Sequence, residues 1–364
     1  MISRRKFIQQ TAASAAGIVI SQNAFANILL PQKKERLGVA LVGLGYYSTD
    51  LLAPALQLTK NCYLAGVVTG TPSKAEKWKQ QYNLSDKNIY NYQSFDSLAN
   101  NPDIDVIYIV LPPSMHEEYV IRAAKTGKQV WCEKPMAVTE LECKNMIDAC
   151  NKNKVKLSLG YRMHHESNTK QIIQFRKDLT YGKVVKVEAA AGYVDGRTDH
   201  WKQKKSMGGG CMHDMGVYPL NAARYSTGLE PIAVSARAST TRPAIYKEVA
   251  ETMAFDLEFP GGVTATCETS FGKNMNRLLV TCAKGWYKLE PFSAYSGIDG
   301  ITSDGIKLNA VINNEQAGQM DDDALAIINN TSVMVPGEEG LKDIKVVEAI
   351  YRSAALEGKR VTIS

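Results

Sequence analysis

The chain has 364 residues, 45% of them hydrophobic and 22% charged. At about 150 residues per domain this allows roughly two domains with sizeable cores, and it excludes a fibrous, disordered or disulfide-stapled protein. The net charge is +6, from 43 basic and 37 acidic residues; Arg4, Arg5 and Lys6 supply three of those charges, and without a dense basic stripe a nucleic-acid partner is not expected.

Residues 1–26 read as an address. A positive head at Arg4, Arg5 and Lys6 precedes a short, weakly apolar stretch rich in Ala, Ser and Thr. Ala24-Phe25-Ala26 forms a small-residue cleavage pattern. The stretch is too short to span a bilayer, so no stable membrane insertion is expected. Arg4-Arg5 followed by Lys6-Phe7 resembles the twin-arginine export signal. That route carries folded proteins, so a periplasmic protein that collects a cofactor before export is expected. Residues 27–35 then form a short arm.

Residues 36–158 read as a dinucleotide-binding half. A short apolar run, 37–42, leads into Gly43-Leu44-Gly45-Tyr46-Tyr47-Ser48 and a helical pattern. This is the strand, tight turn and helix order that places a pyrophosphate at a helix N-terminus. Ser48 stands where the fingerprint has Gly or Ala. The second strand, 63–68, ends in Thr69-Gly70-Thr71-Pro72-Ser73-Lys74. An acid there would grip the ribose hydroxyls of NAD; hydroxyls and Lys74 suit a 2′-phosphate, so NADP is favoured over NAD. The alternation continues with a helix at 74–81, a strand at 105–110 ending near Pro112, and a helix at 116–124. A strand at 129–132 then enters Glu133-Lys134-Pro135, and a helix at 139–151 opens with a Thr139/Glu142 capping box. A last strand, 156–160, leads to Tyr161-Arg162. Ligands of such sheets lie beyond the carboxyl ends of the strands, which is where Pro112, Lys134, Tyr161 and Arg162 fall.

Residues 159–364 read as a second domain. Its strand candidates are 184–191, 232–239, 252–259, 262–270, 278–282 and 286–290, with helices near 169–178, 214–226, 322–330 and 341–357. Phe259-Pro260-Gly261-Gly262 signals a hairpin. The expected fold is therefore α/β: an N-terminal Rossmann dinucleotide-binding domain, then a C-terminal α+β domain on a large, mainly antiparallel open sheet. The free face of that sheet is the expected surface for a homodimer or homotetramer.

The densest constellation is Gly208-Gly209-Gly210-Cys211-Met212-His213-Asp214, continuing to Tyr218 and Asn221. The glycines would let the backbone pass close to a ligand. Asp214 and Tyr218, four apart, would share a helical face, with His213 turned away. Hydride transfer from a hydroxyl needs a group to take the proton. Either Tyr218 with help from Lys134, or Lys134 itself, meets that need. Seven cysteines without zinc-like spacing and five histidines give no metal site.

With these motifs in order, the chain resembles the Gfo/Idh/MocA oxidoreductases. Gly43-x-Gly45, Glu133-Lys134-Pro135 and the glycine run entering Asp214-x-x-x-Tyr218 carry the likeness. Residues 45–47, 131–137, 160–162 and 336–340 resemble the branch of periplasmic glucose-fructose oxidoreductase and related aldose oxidoreductases. The resemblance implies Lys134, Asp214 and Tyr218 as the catalytic group. It implies Gly43, Gly45, Tyr46, Tyr47, Ser48, Thr69, Gly70, Lys74, Pro112, His116, Glu133, Lys134 and Arg162 at the cofactor. Tyr161, Arg162, Asp214, Tyr218 and Asn221 are the implied sugar contacts. The implied activity is oxidation of an aldose to a lactone on tightly held NADP, with reduction of a second sugar to an alditol. A releasing aldose dehydrogenase or ketose reductase, an NAD-dependent glycosidase and a non-catalytic sugar- or nucleotide-binding protein are the alternatives. The 27–35 arm is shorter than the one that secures the cofactor in glucose-fructose oxidoreductase, which keeps the releasing dehydrogenase open as an alternative.

Overall fold

The structure, a computed structural model, describes residues 34–311 and 314–363. The export signal lies outside the described residues. Among the described residues no helix is long and apolar enough to cross a membrane.

The first sheet is built from β1 (Leu37–Val42), β2 (Cys62–Val68), β3 (Ile89–Tyr90), β4 (Val106–Ile109), β5 (Gln129–Cys132) and β6 (Leu157–Leu159). All pairings are parallel, in the order β3-β2-β1-β4-β5-β6. Every residue of β1 and β4 is buried, because helices cover both faces of a parallel sheet and no side needs polar alternation. A π-helical turn (Tyr47–Leu52) and α1 (Ala53–Leu56) follow β1; α2 (Pro72–Tyr82) follows β2, α3 (His116–Lys125) follows β4, and α4 (Glu140–Lys152) follows β5. The capping box expected at α4 is present: the Glu142 amide donates to Thr139 Oγ1, and the Thr139 amide donates to the Glu142 carboxylate. The chain reverses its strand order between β1 and β4, so the loops after β1, β2, β4 and β5 share one edge and open a crevice there.

The second sheet contains β7 (Val184–Gly192), β8 (Ala233–Ser239), β9 (Thr252–Glu258), β10 (Thr264–Ser270), β11 (Met275–Cys282), β12 (Gly285–Leu289), β13 (Gly300–Thr302), β14 (Lys307–Leu308) and β15 (Val361–Thr362). Its order is β14-β13-β12-β11-β7-β10-β9-β8-β15. The pairing is antiparallel except between β7 and β10, which run parallel. The crossover between those two strands contains α6 (Val217–Thr227), whose residues are all buried. Val187, Ala189, Ala265 and Cys267 are buried, whereas Lys186, Glu188, Thr264, Thr266 and Glu268 between them are exposed or half-buried. The free face is thus largely polar rather than an uncovered apolar patch. All seven cysteines are free and buried.

Two further helices tie the sheets together. α7 (Glu315–Ile328) begins well before the expected residue 322, capped by Asn314 Oδ1 on the Ala317 amide. Its first turns bury the polar residues Glu315, Gln316 and Gln319, which hides its apolar period. Ala317, Met320 and Ala324 join Leu41, Val106, Tyr108 and Trp131 in the core of the first sheet. The sequence division at 158/159 is therefore not a division in packing. α8 (Gly337–Ala355) lies against α4 and β8, and α5 (Ser167–Asp178) against α6. Between α6 and α8, Arg224 bonds Asp343 Oδ1 at 2.6 Å, Glu230 at 2.7 Å and Glu339 at 2.9 Å. Asp343 is fully buried, so this pairing is what makes its charge tolerable. Arg224→Met should lower the unfolding free energy by about 3–5 kcal/mol in chemical denaturation. A change below about 1 kcal/mol would show that Asp343 does not depend on Arg224.

Candidate active site

The carboxyl ends of β1, β2, β4 and β5 present the loops that the sequence singles out. Gly43 has φ 92°, and a Cβ there would lie 2.4 Å from the Val110 carbonyl oxygen, so only glycine fits this turn between β1 and β4. Gly45 differs: nothing lies within 4 Å of where its Cβ would stand. The open space above the turn, at the start of the helix, is a cradle that admits a pyrophosphate. Ser48 is buried and donates to the Gly43 carbonyl, so it secures the turn from inside. Tyr46 is 65% exposed, and Tyr47 pairs with Tyr295 at 6.1 Å between ring centroids.

After β2, Thr69 Oγ1 accepts the Thr71 amide, and Gly70 packs against the Tyr92 ring. The Lys74 ammonium reaches back to the Leu44 carbonyl at 3.0 Å. A cation thus stands at the rim of the glycine turn, with no acid in residues 69–74. This donor set fits a nicotinamide dinucleotide lying along the edge. Pro112 marks the turn after β4, where its carbonyl accepts the Met115 amide. His116 is a correction. It is fully buried, with Nε2 2.8 Å from the Leu111 carbonyl and Nδ1 3.0 Å from that of Pro135. Backbone contacts occupy both ring nitrogens, so His116 fastens the β4 and β5 loops to each other instead of facing a ligand.

Glu133, Lys134 and Pro135 leave β5, with a cis bond between Lys134 and Pro135. Tyr108 donates to Glu133 Oε1 at 2.6 Å and accepts from Gln319 of α7 at 3.2 Å. Burial pushes the Glu133 carboxyl up to about 7, against the opposing effects of Tyr108 and Lys134. Lys134 donates to the Asp214 carbonyl at 2.8 Å and stands 3.9 Å from Asp214 Oδ1. Its Nζ lies 4.7 Å from the Tyr218 ring centroid. Burial works against its ammonium, but Tyr218, Asp214 and Glu133 outweigh that and raise it above the usual lysine value.

Asp214 and Tyr218 meet Lys134 from the other sheet. Met212–Gly216 is a π-helical turn leading into α6, and it keeps both residues within reach of Lys134. Burial pushes the Asp214 carboxyl up, yet Lys202 and Lys134 outweigh it and hold the group below the usual aspartate value. His213 turns away, as expected, toward the Gly209 carbonyl and Tyr351. The glycine run serves packing more than a ligand. A Cβ on Gly209 would lie 2.5 Å from the Lys202 carbonyl oxygen, and Gly208 packs against Val138 and Pro113. Arg162 is buried beneath Tyr218, its guanidinium 5.7 Å from that ring and 4.7 Å from the Tyr295 ring. It pairs with Glu315 of α7 and donates to the Ala294 carbonyl at 2.7 Å.

Tyr161 and Asn221 are corrections. The Tyr161 side chain is buried beside Asp343. Asn221 donates to Asp343 Oδ2 at 3.0 Å, and its Oδ1 meets His164 Nε2 at 2.8 Å. Both belong to the Arg224 cluster behind α6, because their side chains point into the helix packing and not into the crevice. Lys202, Tyr193, Tyr108 and Tyr295 escaped the sequence reading. The only sequence signal for Lys202 was its place shortly before the glycine run.

With this geometry, the comparisons decide the family. Residues 37–161 match the model of the "Oxidoreductase family, NAD-binding Rossmann fold", and residues 170–288 match the "GFO/IDH/MocA C-terminal domain". The chain belongs to the Gfo/Idh/MocA oxidoreductase family. Aldose-aldose oxidoreductase from Caulobacter crescentus, crystallised with glycerol, is 38% identical, with a TM-score of 0.87 over 90% of this chain and 99% of that one. D-xylose 1-dehydrogenase [NADP(+)] from Haloarcula marismortui is 27% identical over 87% of this chain and 91% of its own. A levoglucosan dehydrogenase solved with NADH and L-sorbose shares the fold at 20% identity, with a TM-score of 0.79 over 91% of this chain and 100% of its own.

The Glu133 carboxyl has a direct stability consequence. The folded protein keeps a proton that the unfolded chain releases from its ordinary value of 4.5 upward. Stability should therefore fall as pH rises from about 4.5 to about 7, by up to about 3 kcal/mol from this group. Glu133→Gln should remove that slope in denaturation curves across the window. Parallel curves for the two proteins would contradict it.

Proposed function

We propose that the chain is an NADP-dependent sugar oxidoreductase that oxidises an aldose to a lactone and can return the reducing equivalent to a second sugar, giving an alditol. The observation that carries this reading is the convergence of Lys134, Asp214 and Tyr218 at the carboxyl end of β5, beside the dinucleotide edge. The aldose-aldose oxidoreductase and the NADP-linked D-xylose dehydrogenase named above support the choice of sugar.

Bound NADP supplies a reversible hydride acceptor. Tyr218 takes the proton of the anomeric hydroxyl as the C1–H bond breaks and the C1 carbonyl forms. The ammonium of Lys134 and the guanidinium of Arg162 flank the ring and stabilise negative charge developing on oxygen. Asp214 holds Lys134 in place. In the return half, Tyr218 gives the proton to the oxygen of the second sugar's carbonyl. The polar walls suit a neutral polyhydroxylated substrate. We also propose that the chain is exported, with the mature N-terminus near Asn27, and that it assembles as a homo-oligomer through its open sheet face, with polar rather than apolar contacts.

Purified protein should release NADP on denaturation, and an aldose mixed with a second sugar should give aldonate and alditol with no cofactor added. Protein that arrives empty and needs stoichiometric NADP would overturn the retained-cofactor part and leave a releasing dehydrogenase. Tyr218→Phe should keep its dinucleotide and lose about 10²–10⁴-fold in turnover; near-normal single-turnover rates would move the proton to Lys134. Lys74→Ala should weaken NADP by about 1.5–3 kcal/mol in titration and leave NAD unchanged. Equal affinities of the wild type for the two dinucleotides would reject the phosphate role of Lys74.

A further inference from the structure

The strap of residues 193–207, between β7 and the glycine run, has no part in the mechanism above, yet it closes on Asp214. Lys202 Nζ lies 2.6 Å from Asp214 Oδ2, and Tyr193 donates to the same oxygen at 3.1 Å. Lys202 also donates to the Tyr193 hydroxyl at 3.1 Å. Oδ2 is thus held at one corner of a closed triangle. Oδ1 faces Lys134 at 3.9 Å, beyond hydrogen-bond reach, and Lys134 instead spends its bond on the Asp214 main chain.

We infer that Lys202 is a positioning residue: by holding one oxygen of Asp214, it keeps the Lys134 ammonium over Tyr218 instead of collapsed onto the carboxylate. The inference rests on the proposed roles of Lys134, Asp214 and Tyr218. Two ammoniums compete for one carboxylate, and the nearer one takes it. Remove Lys202, and Lys134 becomes the cation best placed to close on Asp214. Its flexible four-carbon stem allows that movement.

The backbone shows that Lys202 is built into this place. Its carbonyl accepts the Gly210 amide at 2.8 Å, and the close approach of Gly209 to the same oxygen excludes any side chain there. The main chain of Lys202 fixes the glycine run while its ammonium fixes Asp214 at the start of the helix. The other charged or titratable groups around Asp214 are accounted for. Asp195 holds Arg197 through two contacts of 2.8 Å, and Arg197 also donates to the Tyr193 hydroxyl at 3.1 Å, within the field of Asp214 but farther from it than Lys202. His200 Nδ1 accepts the Lys202 amide, and burial lowers its pKa. Burial and Asp214 both raise the Tyr193 phenol. Tyr295 reaches the field of Asp214 from the loop after β12.

Loss of the Lys202 charge has a definite sign. Asp214 loses the cation that does most to hold it ionised, so it takes up its proton at higher pH. Lys134 then faces Asp214 with one competing ammonium fewer, so its own ammonium also persists to higher pH. Both limbs of a pH–rate profile should move upward together.

The test uses the full-length holoprotein with Lys202→Met and Lys202→Arg. Turnover of D-glucose with NADP is followed against pH. In parallel, acylation of Lys134 by acetic anhydride is mapped by peptide mass across the same pH range, with no turnover required. Lys202→Met should lose about 10²-fold in kcat with little change in KM. Its rate profile and Lys134 labelling curve should both move to higher pH by about 1. Lys202→Arg should restore both toward wild type. A Lys202→Met labelling curve that coincides with wild type, or a Lys202→Arg variant as impaired as Lys202→Met, would overturn the inference. If the wild type turns over no sugar, the proposed function fails, and the labelling curves still decide the role of Lys202.

Discussion

The Lys134 ammonium leaves the turn after β5 in one sheet and ends on the π-helical turn that leads into α6, the crossover helix of the other. Its bond to the Asp214 carbonyl and its seat over Tyr218 require the two sheets to hold a fixed separation at this edge. Much of the surrounding architecture serves that requirement. α7 returns to the first sheet and carries Gln319 to Tyr108 and Glu315 to Arg162. The glycine run lets the strap press against the start of the π-helical turn. Lys202 and Tyr193 then hold the carboxylate of Asp214 from its far side.

Lys134 and Lys202 face Asp214, Arg162 faces Glu315, and Arg224 faces Asp343 and Glu339. Each of these buried carboxylates meets at least one cation. Groups this deeply buried are costly unless paired, and breaking a pair costs more than forming it gains. Carboxylates that already have cationic partners leave hydrogen bonding as the means of holding a neutral ligand. Glu133 is the exception to full pairing. Its carboxyl rests on Tyr108 and the Lys134 main chain, with burial pushing it toward neutrality.

The parts legible in the sequence were those whose chemistry sits in local order. A glycine turn directly after an apolar strand, and a lysine just past a later strand, announce a dinucleotide edge without any long-range knowledge. Lys134 with Asp214 and Tyr218 could be anticipated because each lies within a short motif. Tyr108 could not, because in the run Val106–Ile109 its ring counts as another buried apolar residue and only its hydroxyl matters. Lys202 sits in a strap with four other cationic or histidine side chains between 197 and 205, so the segment reads as a solvated loop. Tyr161 and Asn221 stand close to the candidate positions Arg162 and Tyr218, yet one is turned inward to Asp343 and the other follows the buried face of α6. The early start of α7 was hidden because its first turns bury polar side chains that find partners only on the other sheet.

The central claim is that this cluster removes a hydrogen from the anomeric carbon of an aldose and delivers it to the nicotinamide. Single-turnover reaction of the holoprotein with D-glucose deuterated at C1 tests that transfer directly. The account predicts one deuterium at C4 of the recovered nicotinamide ring and a primary isotope effect on the step. Product formation with deuterium retained on the sugar, and none on the nicotinamide, would contradict it.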